Sequence, residues 1–265
     1  MPASTVALPL PSRRLILLGA SNLTRGLALV LQTAAQLWNE PLDILVAAGH
    51  GRSYGNTSRV LIRSLPGTIQ CGLWPALAER PPLPARALVT DIGNDLFYGA
   101  DPKQIAQWVA TCFDRLQQHG AQVTVTGLPL CNLPRVTPGG YQLMVRLMFP
   151  GCEVPFEAAV RRSCELDGLV RELAAERQIP VVEPVAAWYG LDPLHVRLRH
   201  AARAWQIMLT AGLDLPSPLP PARVSPGMFV RTALLRPEQR WILNHEQRQA
   251  QPAWTFANGT RVSLY

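Results

Sequence analysis

A serine, a histidine and an aspartate define the chemistry open to this chain. Leu15-Ile-Leu-Leu18 is a short continuous apolar run and reads as a buried strand. Gly19 breaks the pattern, Ala20, Ser21 and Asn22 form a tight exit, and Leu23 to Trp38 reads as a helix. A serine in such a turn lies at the carboxyl edge of a parallel sheet, where open α/β folds bind ligands. The first N–H groups of the following helix are free to polarise an anion there. The plainer reading of Ser21 is a helix cap. Far downstream, Asp192 and His195 stand three residues apart, close enough on one turn for carboxylate to meet imidazole. A serine that attacks, a histidine that accepts its proton and a carboxylate that orients the imidazolium are the components of acyl transfer.

Two more polar loops follow apolar runs. Ala48-Gly-His-Gly-Arg-Ser-Tyr-Gly-Asn-Thr-Ser58 carries three glycines in seven residues, and Asp91-Ile-Gly-Asn-Asp95 places an amide side chain, Asn94, after a third run. Backbone N–H groups and an amide are what a tetrahedral oxyanion needs. Gly51-Arg-Ser-Tyr-Gly55 also spells G-x-S-x-G, which makes Ser53 the rival nucleophile and Gly51 the rival of Gly55. His50 and His200 are the rival imidazoles; His200 lacks an aspartate three residues before it. Arg25 and Arg52 are placed to meet an acidic group on a substrate or to be solvated charges.

These loops need elements to hold them. Leu42–Ala47, Arg86–Thr90, Gln122–Thr126 and Ile179–Val182 read as further strands. Asp101 to Gly120 has an aspartate cap, Pro102 in its first turn and an apolar face from Ile105 to Leu116, and reads as an amphipathic helix. Helices are also expected over residues 58–64, over 157–178, and after the Asp192–His195 loop through about Gly212. Residues 66–84, with five prolines, read as a surface excursion. Residues 128–156 read as a long loop of the kind that forms lids. Leu143, Val145, Leu147, Met148 and Phe149 within it suit an acyl pocket or ordinary core equally well. Five strands alternating with helices predict a flavodoxin-like three-layer α/β/α fold, with a five-stranded parallel sheet in the order 2-1-3-4-5. Residues 1–213 form this domain. Residues 214–265, which open Pro-rich at Pro216, Pro218, Pro220 and Pro221 and carry an Asn258-Gly259 hairpin signal, read as a small extension packed on it.

Composition narrows the partners. The 265 residues are 48% hydrophobic, enough for a substantial core, and the net charge is +7. No run of five or six like charges occurs, which argues against nucleic acid. The five cysteines, 71, 112, 131, 152 and 164, include no C-x-x-C pair, so neither a zinc site nor a disulfide framework is expected; Cys112 and Cys164 read as core. Residues 1–14 do not read as a secretory signal, and no apolar run reaches membrane-spanning length. Cytoplasmic residence is the default expectation.

Taken together, the loops resemble the SGNH (GDSL-type) hydrolase family. Gly19-Ala-Ser-Asn22 looks like its first block, Tyr54-Gly-Asn-Thr-Ser58 its second, Ile92-Gly-Asn-Asp95 its third and Asp192-Pro-Leu-His195 its last, over about Leu15 to Val196. Two positions depart from the pattern: the aspartate before the serine is Ala20, and the first glycine of the third block is Ile92. The resemblance implies Ser21 as nucleophile, His195 as general base then acid, and Asp192 as its partner. It implies the Ser21 N–H, the Gly55 N–H and the Asn94 side chain as oxyanion donors, with no metal or organic cofactor. The implied activity is hydrolysis of a small-molecule acyl ester or thioester through an acyl-enzyme. Acyl transfer on the same triad, or a catalytically silent ligand-binding protein of this fold, are the alternatives.

Overall fold

The computed structural model describes residues 8–190, 192–217 and 219–265. Residues 1–7 of the stretch read as no secretory signal, Leu191 in the loop before His195, and Pro218 in the proline-rich opening of the tail lie outside the described residues.

Alternation inside the apolar runs explains the layering. In β1 (Arg13–Leu18) every residue from Arg14 on is buried. Successive side chains point to opposite faces, so Ile16 and Leu18 enter one core and Leu15 and Leu17 the other. Helix α1 (Ser21–Trp38) covers the second face with Leu23, Leu27, Val30 and Leu31. The chain returns through β2 (Leu42–Ala47), buried along its whole length. It then forms a hairpin, β3 (Ser58–Val60) and β4 (Arg63–Leu65). A short α2 (Leu73–Ala78) leads to β5 (Ala85–Val89), a single turn α3 (Asn94–Phe97) and α4 (Pro102–Gln118). The expected cap on α4 is present: the Asp101 side chain accepts the Lys103 N–H at 2.9 Å. After β6 (Ala121–Thr126) come α5 (Pro138–Met148), α6 (Phe156–Glu176) and β7 (Val181–Val182). Helix α7 (Leu198–Thr210) lies beside α1, and α4 and α6 cover the opposite face. The five expected strands lie parallel in the expected relative order, β2-β1-β5-β6-β7.

Among the described residues the sheet has seven strands rather than five. The tail, after α8 (Pro226–Leu234), forms β8 (Gln239–Ile242), β9 (His245–Arg248), β10 (Trp254–Thr255) and β11 (Arg261–Leu264). Strand β11 pairs parallel with β2, and β10 folds back antiparallel on β11, which gives the order β10-β11-β2-β1-β5-β6-β7. The Asn258-Gly259 signal is the turn between them. Gly259 has φ +86°, and a Cβ there would stand 2.1 Å from the Pro9 carbonyl oxygen, so only glycine fits. The unpaired edge of an all-buried β2 needs such a partner. Nothing within residues 1–213 announces that the partner comes from the far end of the chain.

Other expectations change for related reasons. Residues 58–64 are not a helix. They form the β3–β4 hairpin with Leu61 in the left-handed region, because β4 pairs with β8 of the tail in a second sheet, β3-β4-β8-β9. Residues 66–84 are not a surface excursion. Cys71, Leu73, Trp74 and Leu77 are buried in the main core, and the Trp74 indole donates to the Thr68 carbonyl at 2.8 Å. Cys112 is buried, but Cys164 is exposed on α6. Among the described residues, no helix is long and apolar enough to cross a membrane.

If β11 is an integral strand, Val262→Ala lowers the free energy of unfolding by about 2 kcal/mol, since Val262 is fully buried against β2 and the second core. Urea denaturation measures it. A tail merely resting on the surface predicts no change.

Candidate active site

The carboxyl ends of β1, β2 and β5 bring the polar loops to one edge. Strand β1 delivers Ser21 as the first residue of α1. Residue Ala20 precedes it in non-helical geometry and offers no side-chain cap. The helix start is instead satisfied from β5. Asp91 Oδ2 accepts the N–H of Ala20 at 2.8 Å and of Leu23 at 3.2 Å. Those bonds leave the N–H groups of Ser21 and Asn22 without a partner among the described residues.

His195 arrives from the other direction. Gly26 lets α7 close on α1, because a Cβ at position 26 would stand 2.0 Å from the Trp205 indole nitrogen. The loop ahead of α7 is thereby laid over the start of α1. His195 Nε2 stands 2.8 Å from Ser21 Oγ, and its Nδ1 stands 2.7 Å from Asp192 Oδ2. His195 is buried and the Asp192 side chain half-exposed. Burial works against ionising Asp192. The His195 ring and the N–H groups of Leu194 and His195 outweigh it and hold the carboxyl below the ordinary aspartate range. With an ionised carboxylate on Nδ1, the imidazole is held with Nε2 as the acceptor facing Ser21.

The remaining predicted positions divide. Asn94 is at the site, beside Ser21 in the cleft lining. Its Nδ2 donates to the Arg52 carbonyl at 3.3 Å and keeps a second hydrogen. Gly55 is not at the site. Its N–H donates to Ser53 Oγ at 3.1 Å, and the Trp108 ring covers its α-carbon. The turn made by Ser53, which also accepts the Asn56 N–H at 2.8 Å, aims Gly55 inward. Gly51, four residues earlier, has φ +65° and an N–H without a partner among the described residues. Ser53 itself is fully buried and donates to Asp95, with no imidazole partner among the described residues. Arg52 is likewise buried, bonded to the carbonyls of Ala48 and Tyr265, and so is not placed for a substrate. His200 accepts from Arg199 rather than facing Ser21. Asp91 was missed: nothing about an aspartate in a loop marks it as the cap of a helix 70 residues away.

A mainly apolar cleft opens beside Ser21 and Asn94. Leu128, Leu133, Tyr141, Met144 and Phe156 wall it. The expected long loop is therefore partly helical, and its 3₁₀ turn and α5 form one side of the cleft. Of the apolar residues singled out there, Leu143 and Leu147 are exposed. Val145 and Phe149 are buried, but none of the five lines this cleft.

No family model matches the chain, and no curated protein does. Among solved structures, one aligns over 76% of this chain and 98% of its own at TM-score 0.53 and 14% identity. The psychrotrophic esterase EstA from Pseudoalteromonas sp. aligns over 76% and 96% at TM-score 0.49 and 12% identity. AlinE4, an SGNH-hydrolase family esterase, aligns over 82% and 88% at TM-score 0.42 and 19% identity. The first of these alignments shows a shared fold.

Asp95, under the site, gives a pH test of the architecture. Burial pushes its carboxyl up to about 6 against the Ser53 hydroxyl and Tyr54 N–H bonds. A folded-state pKa above the unfolded value, about 3.9, means that the native state binds the extra proton. The stability linked to Asp95 is then complete below about pH 4 and is lost as pH rises through about 6. Asp95→Asn removes this titration. From pH 4 to 7.5 wild type should lose roughly 2–3 kcal/mol relative to the variant, read from urea melts at both pH values. Parallel responses would overturn the assignment.

Proposed function

We propose that the chain is a serine hydrolase of the SGNH type that cleaves carboxylic esters through an acyl-enzyme on Ser21. The observation that carries this reading is the continuous contact from Ser21 Oγ through the His195 ring to Asp192, at the mouth of an apolar cleft. In the reaction, Ser21 Oγ attacks the ester carbonyl carbon while its proton passes to His195 Nε2. Asp192 stabilises the imidazolium. The carbonyl oxygen becomes an oxyanion that accepts from the free Ser21 N–H and the spare Asn94 amide hydrogen. Gly55 is not used as a third donor, because its N–H is already bonded to Ser53 Oγ. The tetrahedral species collapses, the His195 proton leaves with the alcohol, and the acyl group stays on Ser21. Water then attacks, His195 takes its proton, and the same donors hold the second oxyanion.

The cleft supports acyl groups larger than acetyl. Its walls are mainly aliphatic, aromatic or thioether, with Thr90, Thr126 and Ser163 among them, and apolar area removed from water favours a longer chain by about 25 cal/mol per Å². Binding of that chain positions the ester carbonyl between Ser21 and Asn94.

Three variants test these roles with p-nitrophenyl esters. Ser21→Ala abolishes turnover to within the background; undiminished turnover removes the reading. Asn94→Ala lowers kcat by about 10²–10³ with KM little changed, as for loss of one oxyanion donor. Met144→Asp cuts kcat/KM for a hexanoate ester by about tenfold and for acetate by less than about twofold, since one to two kcal/mol of apolar contact is at stake. An equal loss on both esters would place the acyl group elsewhere.

A further inference from the structure

The Asp91 carboxylate takes no part in the ester chemistry above, yet three donors converge on it. Oδ2 accepts from Ala20 and Leu23, the residues that bracket Ser21 and Asn22, and Oδ1 accepts from Asn22 Nδ2 at 2.9 Å. Asn22 then reaches both sides of His195. Its Nδ2 also donates to the Leu194 carbonyl at 2.9 Å, and its Oδ1 accepts the Val196 N–H at 2.9 Å. Asp91 holds this place with φ +59°, a left-handed backbone that aspartate tolerates better than most residues but glycine adopts freely. Position 20, where the resembled sequence pattern has an aspartate, is a fully buried alanine.

We propose that Asp91 and Asn22 are the positioning residues of the Ser21–His195 pair, with Asp91 supplying from the end of β5 the carboxylate that position 20 lacks. The inference rests on the esterase reading. One oxygen of Asp91 fixes the backbone on either side of Ser21 and, by accepting residues 20 and 23, keeps the N–H groups of Ser21 and Asn22 free for an oxyanion. Its other oxygen orients the Asn22 amide so that nitrogen faces the Leu194 carbonyl and oxygen faces the Val196 N–H. The same amide therefore sets the backbone on either side of His195. The Ser21 Oγ to His195 Nε2 distance is thus set by one carboxylate acting through one amide.

Asp91→Gly separates this role from a backbone role. Glycine relieves the left-handed strain but removes all three acceptor contacts. Asp91→Asn keeps the tolerance for that backbone and one acceptor oxygen, so it cannot serve both donor sets. The positioning role predicts kcat lower by about 10- to 100-fold in Asp91→Gly, the scale of a 1 Å misplacement. KM for the p-nitrophenyl ester stays within about twofold, and Asp91→Asn falls between. Asn22→Ala loses a similar factor, and the Asp91→Gly/Asn22→Ala double variant is no worse than the poorer single one, as for residues acting as a unit. Rates are taken per folded molecule, from melting curves on the same samples. Wild-type kcat in both Asp91 variants, or losses in Asp91 and Asn22 that multiply in the double variant, overturns the proposal. Should Asp91→Gly fail to fold, Asp91→Asn and Asn22→Ala decide it by the same kcat criterion. Fluorophosphonate labelling of wild type, mapped to Ser21, keeps the two readings apart. No label and no turnover removes the esterase reading and this inference with it. A labelled wild type with unimpaired Asp91 variants removes only the inference.

Discussion

Helix α1 begins at Ser21, and its own sequence does not cap it. The turn before α1 holds a glycine and an alanine, so the helix start has no side-chain cap of its own. The acceptor is Asp91, in the loop that follows β5. A local cap at Ser21 would have engaged the hydroxyl with its own helix. A cap borrowed from β5 leaves the hydroxyl to His195 and two backbone donors to the cleft. The same carboxylate places negative charge at the positive end of α1, a favourable location.

The sheet makes this borrowing possible. Parallel β1 and β5 are adjacent and in register through Leu18↔Val89, so their exits, Gly19 to Asn22 and Thr90 to Asn94, emerge side by side. Strand β2 on the other side brings the glycine-rich loop to the same edge. That loop is pinned from beneath. Tyr54 donates its hydroxyl to the Thr90 carbonyl at 2.6 Å, and Asp95 receives Ser53 and the Tyr54 N–H. Two loops from two strands are thereby joined below the site by buried polar contacts.

The tail stabilises this framework from its far edge. Strand β11 covers β2, and Arg80 ties the Asp43 carboxylate of β2 to Ser263 and Tyr265 of the tail. Arg14 of β1 meets the same aspartate at 2.8 Å. Asp43 thus shares two guanidinium groups where β1, β2 and the tail meet. A buried charge needs such partners to be tolerated at all.

Local pattern was sufficient for much of this protein. The five apolar runs read as strands are strands in the fold. The amphipathic helix with its aspartate cap lies where its periodicity places it, Ser21 and Asn94 follow the exits of β1 and β5, and Asp192 and His195 lie in the loop ahead of α7. Such features depend on neighbours a few residues away, and sequence displays those directly. Pairings over long separations were not legible. Whether residues 58–65 become helix or hairpin depends on β8, some 180 residues on. Whether β2 is an edge depends on β11, and which glycine N–H is free depends on where Ser53 finds its partner. The capping of α1 by Asp91 belongs with these. Loop residues carry no periodicity, and an unsatisfied N–H donates to whichever carboxylate the fold brings within reach, so only the tertiary structure could decide it.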